Sequence, residues 1–316
     1  MESIEGDAGN FTVNVLKRPR YIDEEVCTAC GSCVDYCPVE MPDPYNERLS
    51  NLKSLYIPYP QAVPAAYVID PATCLFVLKK ECRQCEQACK ELKAIDLNQQ
   101  EEHLQLRVGS VIITPGFDEF DARRNKDYGY GEYPNVITSI EFERMLSASG
   151  PFQGRITRPS DGTEPRRIAF LQCVGSRDKS ANAYCSSVCC TYSIKEAIIA
   201  KEHDPGLEVS IFYMDIRTQG KSFESFYERA KNQFGIRFER TRLPKIEHVT
   251  ETENLCLRFV REDGRHENEE FDLVVLSVGL EPARKARELA TKLDIELNEE
   301  GFCKTAEFSP MATEKE

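Results

Sequence analysis

The chain has 316 residues, enough for about two domains of ordinary size, each able to bury its own core. Lys and Arg number 40 against 53 Asp and Glu, and the formal charge of −13 argues against nucleic acid and anionic membrane surfaces as partners. The longest apolar runs, such as residues 273–276, fall far short of the ~20 residues of a membrane span, and the start (Met1-Glu2-Ser3-Ile4-Glu5) has neither a basic nor an apolar run. A soluble, cytoplasmic protein with no membrane span is expected.

Along the chain, residues 11–16 alternate apolar and polar positions and predict a strand. Residues 21–96 carry two cysteine groups joined by a segment with Pro42, Pro44, Pro58, Pro60, Pro64 and Pro71. Proline at that density forbids long helices and predicts a compact domain built on loops. Residues 111–113 (Val-Ile-Ile) predict a buried strand entering a turn at Pro115-Gly116, and residues 139–149 a short helix with Ile140, Met145 and Leu146 on one face. The polar stretch 150–165, with its prolines and glycines, reads as a domain boundary. Beyond it, predicted strands at 167–172, 209–214, 236–240, 256–261 and 271–276 alternate with helices at 186–202 and 223–234. That order favours an α/β domain with a mainly parallel sheet.

Fourteen cysteines are unusual for a chain with no secretory signal, and a reducing compartment points to metal or redox chemistry instead of disulfides. Twelve fall into three groups of four: Cys27, Cys30, Cys33 and Cys37; Cys74, Cys82, Cys85 and Cys89; Cys173, Cys185, Cys189 and Cys190. Cys256 and Cys303 stand alone and read as isolated thiols. The spacing Cys27-x2-Cys30-x2-Cys33-x3-Cys37-Pro38 lets one loop wrap a cubane with three thiolates, while the fourth reaches the other cluster of a two-cluster ferredoxin. On that rule Cys27, Cys30, Cys33 and Cys89 hold one 4Fe-4S cluster, and Cys37, Cys74, Cys82 and Cys85 the other. The bland alternative is zinc, whose structural sites usually use two separated cysteine pairs.

In the third group Cys173 ends a strand, while Cys185 and Cys189 are one helical turn apart and would share a helix face. Cys190 sits about 100° round from its neighbour, so the four can converge only from a helix start and its preceding loop. A helix N-terminus also favours thiolates. A set of small buried hydrophobes is the bland reading; four cysteines within 173–190 favour a metal site. They also occupy the turn where a dinucleotide-binding domain would carry a glycine-rich loop. Gln172-Cys-Val-Gly-Ser-Arg-Asp178 has a single glycine, so nicotinamide dinucleotide binding is not expected, and Gly175 can serve the turn alone.

The ferredoxin pair, Tyr59-Pro-Gln-Ala-Val-Pro64, Tyr67-Val-Ile-Asp70, Thr114-Pro-Gly116, Gln172-Cys-Val-Gly-Ser-Arg177, Tyr184-Cys-x3-Cys-Cys190, Tyr192-Ser-Ile-Lys-Glu-Ala197 and Tyr213-Met-Asp-Ile-Arg217 together resemble an internal portion of the heterodisulfide reductase A-subunit family. The resemblance implies an α/β fold: a partial thioredoxin-reductase-like FAD/NAD(P)-type fold with an inserted two-cluster ferredoxin domain. It divides the chain into a connecting strand (1–20), the ferredoxin-like domain (21–103), a partial flavin-domain segment (104–158), a nucleotide-binding-like domain with a third cluster (159–282) and the start of a returning flavin-domain segment (283–316).

The same resemblance implies FAD beside three 4Fe-4S clusters and an oxidoreductase subunit performing electron bifurcation or its reverse. It implies a dimer within a larger cytoplasmic complex, with other heterodisulfide-reductase-like subunits and an electron-donating hydrogenase or dehydrogenase module. Cys173, Cys185, Cys189 and Cys190 match the family's flavin-adjacent cluster motif. Lys195 is implied near the flavin ring, where a cation stabilises a reduced, anionic flavin; by spacing alone it is an ordinary helix lysine. Thr114, Pro115 and Gly116, and the segment Val278-Gly-Leu-Glu-Pro282, resemble crossovers between flavin and nucleotide domains. The family's opening GxGxxG and closing glycine-rich flavin segments have no counterpart here; Gly129 and Gly131 come closest, but Pro134 takes the next expected glycine. The chain is expected to be part of a longer polypeptide or to have its missing halves on another chain, with FAD needing those segments. A zinc-stabilised interaction module and a flavin-free electron wire are the alternatives.

Overall fold

The computed structural model describes residues 1–313 and divides into two compact units, one of Met1–Gly116 with the stretch from Arg284 onward, the other of Phe117–Ala283. In the first unit, the alternating N-terminal pattern forms the strand Asn10–Lys17, which lies between antiparallel Ser3–Asp7 and Glu102–Val108. The first twenty residues are thus a hairpin and not a single connecting strand, with Ile4 opposite Val13 and Val13 opposite Leu106.

The proline-rich segment forms only two helices, Leu75–Lys79 and Gln84–Ala88, and two short strand pairs. Its ends are tied together where Ile22 bridges Ile95, with the Asp23 N–H donating to the Ala94 carbonyl at 2.7 Å. Ile22, Leu55, Ile69, Phe76, Ile95 and Leu97 make the buried core, and Cys27, Cys33, Cys74, Cys85 and Cys89 pack against it. Each buried aliphatic side chain contributes about 1.5–3 kcal/mol. That is little against the backbone entropy of so loop-rich a segment, and small domains of this kind usually depend on metals or disulfides as well. The expected strand at 111–113 does not form: residues 111–116 have no ladder partner, and Ile112 is 89% exposed. An apolar run becomes a strand only where a neighbouring strand can pair with it.

The second unit is built on a five-stranded parallel sheet. Its spatial order is Arg237–Arg240, Glu208–Tyr213, Arg167–Val174, Leu273–Val278 and Val136–Thr138. All six residues of Leu273–Val278 are buried, as a central parallel strand covered on both faces requires. Alternation decides the faces. Phe170 turns toward the helices Ser139–Leu146 and Cys189–His203 and meets Phe142 edge-on at 5.4 Å between ring centroids. Ala169 and Leu171 share a core with Leu255, Leu257 and Phe259 of a three-stranded antiparallel sheet formed by Ile246–Val249, Asn254–Val260 and His266–Phe271. The unit is therefore three-layered and α/β.

Residues 117–158 are part of this unit, because Val136–Thr138 is an edge strand of its sheet. The 150–165 stretch, expected as a domain boundary, is likewise built in. Buried Asn135 donates to the Ser160 hydroxyl at 2.9 Å and to the Glu253 carbonyl at 2.8 Å, and its own carbonyl takes the Ser160 N–H at 3.1 Å. Arg158 donates to the Thr252 carbonyl at 2.7 Å and Ile156 is buried, so turn residues that mark where the chain bends are here docked onto a core. Among the described residues no helix is long and apolar enough to cross a membrane.

Candidate metal centres

Between Cys27 and Cys37 the backbone runs through tight turns: the Val34 N–H donates to the Gly31 carbonyl at 2.9 Å and the Cys37 N–H to the Val34 carbonyl at 3.0 Å. Gly31 has a φ of +85°, a conformation open to glycine without strain, and Ala29 also lies in the left-handed region. Cys33 is buried at the centre of this loop. Its thiol is pushed up to about 11, first by burial and then by the negative charge of Cys89, Cys27 and Cys30. Cys30, exposed, is instead held down by hydrogen bonds from Ser32.

Cys85 is the counterpart in the second group, pushed up to about 12 by burial and then by Cys74, Cys37 and Cys82. Those same four thiols line one apolar cavity together with Leu55 and Ile69. The structure therefore brings Cys27, Cys30, Cys33 and Cys89 together, and separately Cys37, Cys74, Cys82 and Cys85. The crossover follows from chain direction. Cys37 leaves its loop toward Val39, whose carbonyl lies 3.8 Å from its sulfur, while Cys89 ends the Gln84–Ala88 helix beneath the first loop's core residues.

The third quartet forms at the carboxyl end of the parallel sheet, between Arg167–Val174 and Leu273–Val278, the two strands from which the strand order runs in opposite directions. In α/β sheets that is where ligand crevices open. The ladder slips between Leu171 and Val174, and Cys173 takes a left-handed φ of +63° that turns its side chain out of the regular alternation. The following loop is fastened to residues 182–186: the Arg177 N–H donates to the Tyr184 carbonyl at 2.8 Å, and the Ser176 hydroxyl to the same carbonyl at 2.9 Å. Cys185 does not share a helix face with Cys189, because Ser187 at φ +66° reverses the chain and the helix begins at Cys189. Cys189 and Cys190 occupy its first two positions, where free N–H groups favour negative charge. Cys189 is pushed up to about 12 by burial, with Cys190, Cys173 and Cys185 adding to it and the Tyr192 hydroxyl acting the other way.

The donor chemistry fits iron–sulfur clusters. Each quartet is four free thiols, and burial pushes up Cys33, Cys85 and Cys189, so a cationic core between the sulfurs supplies the charge that lets them become thiolates. The fourteen cysteines are all free. Among the described residues no three His, Cys, Asp or Glu side chains close tightly enough to grip a single metal ion, a separate matter from a cubane whose corner irons hold the thiolates apart. Of the two remaining cysteines, Cys256 is buried with its thiol donating to the Asn268 side-chain oxygen, and Cys303 is exposed.

Lys195 lies six residues into the Cys189–His203 helix, about half exposed, with its ammonium 2.9 Å from Glu143. Thr114, Pro115 and Gly116 are exposed, irregular backbone at the end of the first unit's leading segment. Gly175, with φ +70°, serves packing: a Cβ there would fall inside the Phe120 ring. Gly129 and Gly131 lie in turns after short 3-10 segments. Neighbours of the third quartet that spacing had not singled out are Arg177, Asp215 and Tyr192; the signal was a cation four residues after a cysteine.

Residues 20–43 match the 4Fe-4S binding domain family. The iron-sulfur A subunit of the CoB--CoM heterodisulfide reductase of Methanocaldococcus jannaschii is 46% identical over 308 residues, 96% of this chain and 46% of that protein. The chain is related to heterodisulfide reductase A subunits. The A subunit of the H(2):CoB-CoM heterodisulfide,ferredoxin reductase of Methanothermobacter marburgensis is 43% identical over 306 residues, 96% of this chain and 45% of that protein. The A subunit of the ferredoxin:CoB-CoM heterodisulfide reductase of Methanosarcina mazei is 38% identical, covering 96% and 38%. The chain spans about half the length of the first two relatives. Among solved structures, Lactococcus lactis thioredoxin reductase aligns at 15% identity and a TM-score of 0.37, covering 80% of this chain and 72% of that one, too slight a likeness to argue from.

Proposed function

We propose that this chain is the iron–sulfur portion of a heterodisulfide-reductase-A-like oxidoreductase, which passes electrons between an FAD and three 4Fe-4S clusters in flavin-based electron bifurcation. The observation that carries the reading is the sorting of twelve cysteines into three quartets with no member shared. Cys27, Cys30, Cys33 and Cys89 would hold one cluster, Cys37, Cys74, Cys82 and Cys85 a second, and Cys173, Cys185, Cys189 and Cys190 a third. When bound, the clusters supply one-electron steps and FAD a two-electron exchange that can be split between them.

The chain's own residues supply position and electrostatics. The first unit's apolar core fixes two quartets, and the slipped strand end and helix start fix the third. Lys195 is the cation we assign to the flavin, and Thr114, Pro115 and Gly116 are assigned as cofactor-binding backbone; Gly116, at φ +75°, has open space where a Cβ would be. The relatives' names supply the class of partner: H(2), formate, ferredoxin and F(420)H(2). We place the chain in a cytoplasmic complex, as a dimer with heterodisulfide-reductase-like subunits and a hydrogenase or dehydrogenase module.

Metal and flavin analysis of anaerobically purified protein tests this. Three cubanes give about twelve irons per chain with equal acid-labile sulfide. Zinc without colour would replace the reading with a zinc-stabilised module, and full iron without FAD in the assembled complex would replace it with an electron wire.

A further inference from the structure

Arg177 is a charged side chain on the loop that follows Cys173, beside the third quartet. Its main chain is fixed by the N–H bond to Tyr184, and its Nη2 is held by the Asp215 carboxylate at 2.7 Å. Its Nη1 is buried and has no hydrogen-bond partner in the protein, an unusual state for a guanidinium, whose N–H groups normally all find acceptors. The Cys190 thiol lies 3.7 Å from the backbone carbonyl of that same Asp215, so the guanidinium held by the Asp215 carboxylate sits beside the quartet, on the loop that follows Cys173. Arg217 lies 3.7 Å from the same Asp215 carboxylate. The quartet thus has beside it one anchored guanidinium with one donor unused.

We propose that Arg177 is a positioning residue that tunes the third centre: anchored by Asp215, its guanidinium stabilises the added negative charge when a cluster held by Cys173, Cys185, Cys189 and Cys190 is reduced, and so raises that cluster's reduction potential. The step is a one-electron reduction, oxidised cluster plus one electron giving reduced cluster, with dithionite as donor in the test. Hydrogen bonds and charge around cluster sulfurs are a main lever on such potentials. Arg suits the task because it stays protonated and its rigid fork can bind a carboxylate with one arm and face a sulfur with the other. The inference rests on the cluster assignment above and goes beyond it, since the cysteines alone cannot order the potentials.

The test is an anaerobic dithionite titration of the complete protein followed by electron paramagnetic resonance, with iron and sulfide measured on the same samples. Arg177→Gln keeps a donor but removes the charge. At the wild-type midpoint its reduced-to-oxidised ratio at the third centre is expected to fall about tenfold, equal to about 59 mV for one electron, while the ferredoxin-pair signals stay in place. Full iron with an unmoved midpoint overturns the proposal and leaves the cluster assignment standing. Should Arg177→Gln lose about four irons, Asp215→Asn decides, since it keeps an acceptor oxygen for Arg177 and removes the opposing charge. A raised midpoint then supports the proposal and an unmoved one overturns it. Wild-type protein without a third centre overturns the assignment itself.

Discussion

Replacing Gly175 by alanine tests how the loop behind Cys173 is held. The backbone there has φ +70°, so any side chain adds about 1–2 kcal/mol of local strain. The new methyl would also lie inside the ring of Phe120, which is only 3% exposed and belongs to the core shared by the two sheets. Forcing an extra methyl into a filled core costs about 1–3 kcal/mol. The sum, about 2–5 kcal/mol, should appear as a lower urea midpoint of the second unit by far-UV circular dichroism under argon. Phe120→Ala alone should cost about 3–5 kcal/mol. In that background Gly175→Ala has room for its methyl and carries only the strain, so the cycle should show a favourable coupling of about 1–3 kcal/mol. A single variant as stable as wild type, or one whose cost is the same with and without Phe120, would refute the reasoning.

Cys33→Ala and Cys189→Ala should each remove about four irons from different centres; an unchanged iron count in either discards that quartet. Glu196 is 1% exposed, with one carboxylate oxygen unpartnered, and its pKa is pushed well above the carboxylate range by burial, with Glu143 and Glu119 adding to the shift and Lys195 opposing it. The unfolded chain therefore releases this proton at lower pH than the folded one, so stability falls as pH rises from the ordinary carboxylate pKa toward the raised one, by at most about 1.4 kcal/mol per pH unit. Glu196→Gln should accordingly gain more over wild type at pH 7.5 than at pH 5.5 in urea unfolding, and an equal or shrinking gain would contradict this. Lys195→Ala breaks a half-exposed ion pair worth about 0–1 kcal/mol, so the melting temperature should barely move. The flavin midpoint in the assembled protein should shift, and a titration curve that overlays wild type would dismiss the assigned role.

The cysteine spacing alone carried the grouping of thiols, because a thiolate set that wraps a cluster must come from a loop of fixed length, and length is written in the chain. The strands Arg167–Val174, Glu208–Tyr213 and Leu273–Val278 were equally legible, since a central parallel strand is covered on both faces and reads as an apolar run, whereas the antiparallel strands Ile246–Val249 and His266–Phe271 were missed and Asn254–Val260 was assigned to the wrong sheet. Tertiary structure decided what depended on distant neighbours. The Val111–Ile113 run found no partner strand, whereas residues 150–165, with every sign of a linker, were docked by buried Asn135, by Arg158 on the Thr252 carbonyl and by buried Ile156. Cys185 was drawn toward Cys189 by a reversal at Ser187, and the Arg177 guanidinium was held in place by an aspartate 38 positions along the chain. Periodicity and spacing record what a segment can do by itself; pairing, burial and charge are settled only by what folds against it.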